Sequence, residues 1–315
     1  MRIKRFCMTA LLGVLISTSG AMAGSDWQSP HFRDHELVGR IYANPDRQQL
    51  TLDDVKQRAA QARFVLLGEI HTNADHHRLQ AEILQHMVDQ GRRPAVVIEM
   101  ITRAQQPVLD YFVANPTDNA DDIAARLEWG KSGWPDFAMY KPIFQIALKH
   151  RLALRAGNLE KSTIRRLGGR VGSKLTDDER TQLGLNTPLA AETNKSLLKE
   201  IAESHCNMMP ETVLPRMADI QRARDNVMAS ALMDPANKDG AVLIAGAGHT
   251  RLDWGVGFLI GDNEPDRVLS LAFREVFEGA TEADFGKPTH HVAIVTPRSE
   301  IKDHCAVFRK TKMKG

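Results

Sequence analysis

Leu66-Leu67-Gly68-Glu69-Ile70-His71, Val97-Ile98-Glu99-Met100 and Leu243-Ile244-Ala245-Gly246-Ala247-Gly248-His249 are three apolar runs, each broken by Gly, Glu or His. Short runs rich in Val, Ile and Leu read as strands covered on both faces, the pattern of parallel sheets. A polar group at the end of such a strand sits at the sheet's carboxyl edge, where open α/β sheets bind ligands. Glu69, His71, Glu99 and His249 are therefore expected to meet at one edge.

Strand patterns lie within 63–68, 95–100, 152–156, 241–245, 268–273 and 291–296. Helical patterns separate them. Residues 75–90 place Leu79, Ile83, Leu84, Met87 and Val88 on one stripe, and Gly91 ends it. Residues 137–150, 192–203 and 211–233 repeat apolar side chains at helical spacing. Thr176-Asp177-Asp178-Glu179 reads as a capping box. The alternation predicts an α/β fold, a mostly parallel sheet flanked by helices. A helical subdomain, 160–233, is expected to be inserted before the strand leading to the Gly-x-Gly-His motif.

The N-terminus reads as a secretory leader. Arg2, Lys4 and Arg5 precede a short apolar stretch, and Ala21-Met22-Ala23 is a small-x-small cleavage site. The apolar stretch is far short of the roughly 20 residues that span a bilayer. Cys7 precedes it, so no lipoprotein anchor is expected. The pattern predicts signal peptide 1–23 and a mature domain, 24–315, exported and periplasmic in a Gram-negative host. The whole chain carries 41 basic and 39 acidic residues, and removing the leader leaves 38 against 39. A near-neutral mature protein gives no argument for nucleic acid. The basic tail, Arg309 to Lys314, reads as a solvated terminus. Cys206 and Cys305 remain after processing, and an oxidising compartment permits but does not require a disulfide between them.

Glu69 and His71 lie two apart past a strand, so an extended backbone points both to one side. Two carboxylates and two imidazoles have two uses. They can hold a divalent metal, or they can act as general acid and base. No His-Glu-x-x-His or Cys-x-x-Cys spacing is present.

The run Gly68-Glu69-Ile70-His71-Thr72-Asn73-Ala74-Asp75-His76-His77 resembles the signature of ChaN-type haem-binding uptake proteins, in the Tiki/TraB/erythromycin-esterase-like superfamily. Supporting stretches follow in order: Val97-Ile98-Glu99-Met100, Trp129 to Pro135, Tyr140-Lys141-Pro142, His205-Cys206, Gln221 to Ala229, and Ala245 to His249. The resemblance implies an exported α/β protein of haem or iron uptake, working with an outer-membrane uptake system. It also implies a homodimer with two haems stacked at its interface, each iron held by a tyrosine and its propionates supported by a histidine of the other subunit.

Three tyrosines could serve: Tyr42, Tyr111 and Tyr140. A phenolate suits ferric haem. Tyr140 is the first candidate, among bulky neighbours that include Trp134, with Tyr111 next and Tyr42 last. His205 and Arg224 are candidate propionate partners. Consecutive helical residues diverge by about 100°, so one of His76 and His77 is expected to approach the edge and the other to face water. His290-His291 is expected to be solvated. Without covalent attachment, since no Cys-x-x-Cys-His run occurs, haem would be held by ligation and packing. The alternative is a metal-dependent peptidase- or esterase-like hydrolase using Glu69, His71, Glu99 and His249.

Overall fold

A computed structural model describes residues 27–115, 119–169, 175–261, 267–302 and 305–306. The leader, Cys7 and the basic tail lie outside the described residues.

In chain order the elements are β1 (Ile41–Ala43), β2 (Gln48–Gln49), α1 (Leu52–Gln61), β3 (Phe64–Glu69), α2 (Ala74–Asp89), β4 (Ala95–Thr102), α3 (Gln106–Ala114), α4 (Ala120–Arg126), α5 (Phe137–Lys149) and β5 (Leu154–Asn158). Then come α6 (Lys161–Leu167), α7 (Asp177–Gln182), α8 (Ala191–Ser204), α9 (Leu214–Leu232), β6 (Ala241–Gly246), α10 (Val256–Gly261), β7 (Val268–Glu275) and β8 (Val292–Thr296). The strands form one eight-stranded sheet in the order β2-β1-β8-β7-β3-β6-β4-β5. From β8 to β5 all neighbours run parallel, while β1 is antiparallel to both β8 and β2.

The chain enters the parallel sheet at β3, moves outward to β4 and β5, and returns to lay β6 between β3 and β4. It then continues on β3's other side with β7 and β8. This reversal creates the switch point at which α/β sheets bind ligands. Register places Glu69 beside Gly246 and Ile98 beside Ile244, so β3, β6 and β4 deliver their carboxyl ends together.

Alternation along β3 sorts its side chains between two helical layers. Val65 and Leu67 belong to the large core that includes Leu79, Ile83, Tyr140 and Phe144 from α2 and α5. Phe64 and Leu66 pack with Met228, Leu232, Val256 and Ile260 from α9 and α10. Glu69 extends the first face. Glu99 extends the second, the face of Val97 on β4.

Local chemistry sets the helix ends. Asn73 caps α2, its Oδ1 accepting from the Asp75 and His76 N–H groups, as N-cap side chains do. The Thr176 capping box of α7 is present as the sequence predicts. Between β5 and β6 the described residues form only helices, and α9 packs directly on β5, β4 and β6. Cys206, just beyond α8, is disulfide-bonded to Cys305 with their Cα atoms 5.7 Å apart.

Candidate functional site

Glu69 closes β3 and is buried. Its Oε1 accepts from the Tyr140 hydroxyl at 2.9 Å and lies 2.8 Å from His71 Nδ1. Its Oε2 accepts from Gln80 Nε2 at 2.6 Å and lies 3.2 Å from His77 Nδ1. Burial alone would oppose ionisation, but His77 and His71 outweigh it and hold the carboxyl below the usual carboxylate range. Tyr140 shifts the other way, because burial and the Glu69 charge both disfavour its phenolate.

Glu99 is the second buried carboxylate. It accepts from Arg224 Nη2 and, at 2.6 Å, from the Gly246 N–H. His249 Nε2 lies 3.4 Å from Glu99 Oε1, and His249 Nδ1 lies 2.6 Å from Asp225 Oδ1. The Gln221 amide is 2.9 Å from the same Nδ1. Against burial, His249 and Arg224 hold Glu99 well below its ordinary range. Burial also works against charge on His249, yet Glu99 and Asp225 raise it to about 9. His249 is thus an imidazolium between two carboxylates at neutral pH.

His71 joins the halves. Its Nε2 is 3.8 Å from Glu99 Oε2, and its ring meets Trp134 edge-on at 4.9 Å. Its side chain is 29% exposed, whereas those of Glu69, Glu99 and His249 are 7% or less, so His71 is the member that reaches solvent. Despite burial, Glu69 and Glu99 raise its basicity. Gly68 makes the close approach possible, because a Cβ there would lie 2.2 Å from Thr250 Oγ1 in the turn that carries His249.

The four expected edge residues therefore meet, and Arg224 and Trp134 join them. Beside them opens a cleft of about 490 Å³, lined by Trp134, Met100, Leu127, Leu159 and Ile164, by the cationic Lys131, Lys161 and Arg224, and by the carboxylates Glu128 and Glu160. Among the described residues, no three His, Cys, Asp or Glu side chains form a metal-holding group. The divalent-metal expectation for Glu69, His71, Glu99 and His249 is thus not supported. The geometry gives the reason: the carboxylate oxygens already accept from Tyr140, Gln80, Arg224 and Gly246.

Of the remaining candidates for haem, Tyr140 belongs to the cluster and the others lie outside it. Tyr140 is 1% exposed and committed to Glu69, so it offers no ligand to an outside group. Tyr42 is buried beside Glu282. Tyr111 on α3 is 41% exposed, with the Arg126 guanidinium 4.2 Å from its ring centre. His205 caps the end of α8 with Nδ1 2.8 Å from the Ile201 carbonyl, outside the edge cluster. Neither His76 nor His77 faces water. His76 accepts from the Ile70 N–H and meets Thr296, and burial pushes it down to about 3. His290 is likewise buried, against Thr250 and the Ala247 carbonyl.

Two contributors escaped the sequence reading. Gln80 sits fully buried on α2 and also donates to the Leu67 carbonyl; a polar residue inside an apolar stripe was its signal. Asn158 donates to the Glu99 carbonyl and accepts from Arg224 Nε. It was missed because β5 runs two residues beyond Ala156.

A family model described as haem-binding uptake, Tiki superfamily, ChaN, matches residues 55–258. No curated protein is matched by the sequence. Among solved structures, the chain is similar to ChaN of Campylobacter jejuni, described with cofacial haem binding. The TM-score is 0.63 at 20% identity, covering 81% of this chain and 95% of that one. The type III effector HopBA1 has a TM-score of 0.46 at 12% identity, covering 78% and 93%. An erythromycin esterase, EreC, has 0.42 at 15% identity, covering 82% and 83%. The first of these shares the fold.

Proposed function

Because the chain belongs to the ChaN family of haem-binding uptake proteins in the Tiki superfamily, we propose that it is an exported haem-handling protein that takes haem at the cleft beside Trp134 and completes the site by pairing with a second copy. The observation that carries the reading is the cleft itself: an apolar wall with Lys131, Lys161 and Arg224 beside it, Lys131 paired with Glu128 and Arg224 with Glu99. Haem is a flat apolar ring bearing two carboxylates, and this donor set suits both parts. Tyr111, which does not line this cleft, is in this reading the iron ligand that the second copy brings to the haem, because it is the exposed one of the three tyrosines. An exposed phenol binds iron in a closed site once a second copy covers it. The Cys206–Cys305 disulfide supports export, since such bonds persist in oxidising compartments.

The test is titration of haemin into the mature protein beside Tyr111→Phe and Tyr140→Phe. The expected result is saturable binding with a tyrosinate-type ferric spectrum that Tyr111→Phe abolishes and Tyr140→Phe keeps. Wild type without saturable binding would overturn the reading.

His71, the partly exposed member of the cluster and oriented by Glu69 at 2.8 Å, favours a second reading as a metal-free hydrolase. His71 Nε2 would take the proton of a water while Nδ1–H is held by the carboxylate. Turnover of a peptide or ester library that disappears in His71→Gln supports this reading. An inactive wild type removes it.

A further inference from the structure

Tyr111 does not stand alone on α3. The guanidinium of Arg126, the last residue of α4, lies over its ring, 4.2 Å from the centre. The same guanidinium is 5.4 Å from the centre of the Phe112 ring, which meets Tyr111 edge-on. Cations settle on aromatic faces because the ring quadrupole makes the face negative.

Both helices build this placement. Phe112 is fully buried and anchors α3, while Ile123 and Leu127, on the inward side of α4, are buried and anchor the stretch that carries Arg126. Gln105, just before α3, donates to the Leu127 carbonyl at 3.1 Å and ties the end of α4 to the start of α3. Arg126 itself is exposed, and among the described residues it has no ion pair, so no carboxylate draws it away from the rings.

A guanidinium over a neutral phenol at an exposed position contributes little to stability. The attraction grows once the phenol has become a phenolate, because the negative charge spreads into the ring that the guanidinium faces. Ligation of ferric haem is that change. A second copy closing over the pair excludes water, and the two charges are then less screened. A cation already fixed where negative charge develops needs no rearrangement when it does.

We propose that Arg126 is a positioning residue for the haem ligand: it holds the Tyr111 ring and offsets the negative charge that the phenol oxygen and ring carry once iron is bound. The proposal rests on the reading of Tyr111 as that ligand.

Haemin is titrated into the mature protein and into Tyr111→Phe, Arg126→Gln and Arg126→Lys, and the ferric spectrum and the ferric–ferrous midpoint potential are recorded for each. Wild type is expected to show a phenolate-to-iron charge-transfer band that Tyr111→Phe lacks. Arg126→Gln is expected to bind haemin about fivefold more weakly, the scale of a cation–ring contact. Its band is expected to move to longer wavelength and its midpoint to fall, since a phenolate without the facing cation is the stronger donor to ferric iron. Arg126→Lys keeps the charge and is expected to stay close to wild type in band and midpoint. Thermal melts of both Arg126 variants are expected to match wild type, which separates this role from a structural one. Arg126→Gln with the affinity, band and midpoint of wild type would overturn the proposal, as would Arg126→Lys no closer to wild type than Arg126→Gln. Tyr111→Phe that binds haemin as wild type does is a different failure: it removes the ligand assignment, and this proposal with it, whatever the Arg126 variants show.

Discussion

Tyr140 and Tyr111 show how surroundings divide the work of identical side chains. Tyr140 spends its hydroxyl on Glu69 and packs among Trp129, His77 and the α5 aromatics. Tyr140→Phe removes one hydrogen bond to a buried charge, for which about 1.5–3 kcal/mol is typical. Urea unfolding should show that loss while haemin binding persists. Tyr111 contributes little to the core, so Tyr111→Phe should leave the unfolding midpoint unchanged while it removes the proposed iron ligand. Glu99 is the harsher case. Its carboxylate faces Arg224, His249 and the Gly246 N–H, and Glu99→Gln leaves Arg224 without its counter-charge and His249 with Asp225 alone. Breaking such a buried pair costs about 3–5 kcal/mol. The expected result is a large drop in unfolding free energy, and a stability equal to wild type would show that the pair is neutralised by other means.

Helix α8 ends in a turn that the disulfide secures. Cys206 and Asn207 both adopt positive φ, 60° and 54°, where a side chain is disfavoured. The bond closes a loop with a sequence separation of 99 residues, and the chain-entropy view assigns such a loop about 4–5 kcal/mol. Cys206→Ser and Cys305→Ser should therefore lower the melting temperature by similar amounts, as should a reductant on wild type. Loss in one variant alone would point to packing at that residue instead. The long elements were legible in the sequence because their periods are clean: α2 and the six parallel strands fall within two residues of expectation. The antiparallel β1 and β2 were not, since three- and two-residue strands carry no period. The start of α9 moved from 211 to Leu214, with Pro215 in its first turn. The edge cluster was legible as residue types at strand ends. Which partner each would take was not, because that depends on which helical layer a strand face meets. Gln80 and Tyr140 come from the layer on one face, Arg224 and Asp225 from the other.

The two buried carboxylates are also the centre of an electrostatic balance that spans the sheet, and it fixes how the whole chain responds to pH. His76 and His290 have folded values near 3 because burial excludes their charge, whereas the unfolded chain takes up protons near 6.5. Acidification below 6.5 therefore favours unfolding, and stability rises with pH across that window. His249 has the opposite sign. Its folded value of about 9 means that its contribution is complete below 6.5 and is lost as pH rises toward 9. His71 and His77, also raised, act in the same direction. Glu69 and Glu99 are depressed, so their contribution is present above the ordinary carboxylate value of 4.5 and fades below it, steepening the acidic side. Summed, these groups place the stability maximum near pH 6.5, with a decline on both sides. Melting temperatures from pH 4 to 10 should trace that dome, each kcal/mol counting for about 2–4 °C. His290→Asn should flatten the acidic limb and leave the alkaline one. His249→Asn, if it folds, should do the reverse. A curve that rises monotonically through pH 9 in wild type would mean that His249 is neutral in the folded chain, and that the Asp225–His249–Glu99 array is held by hydrogen bonds without a charge at its centre.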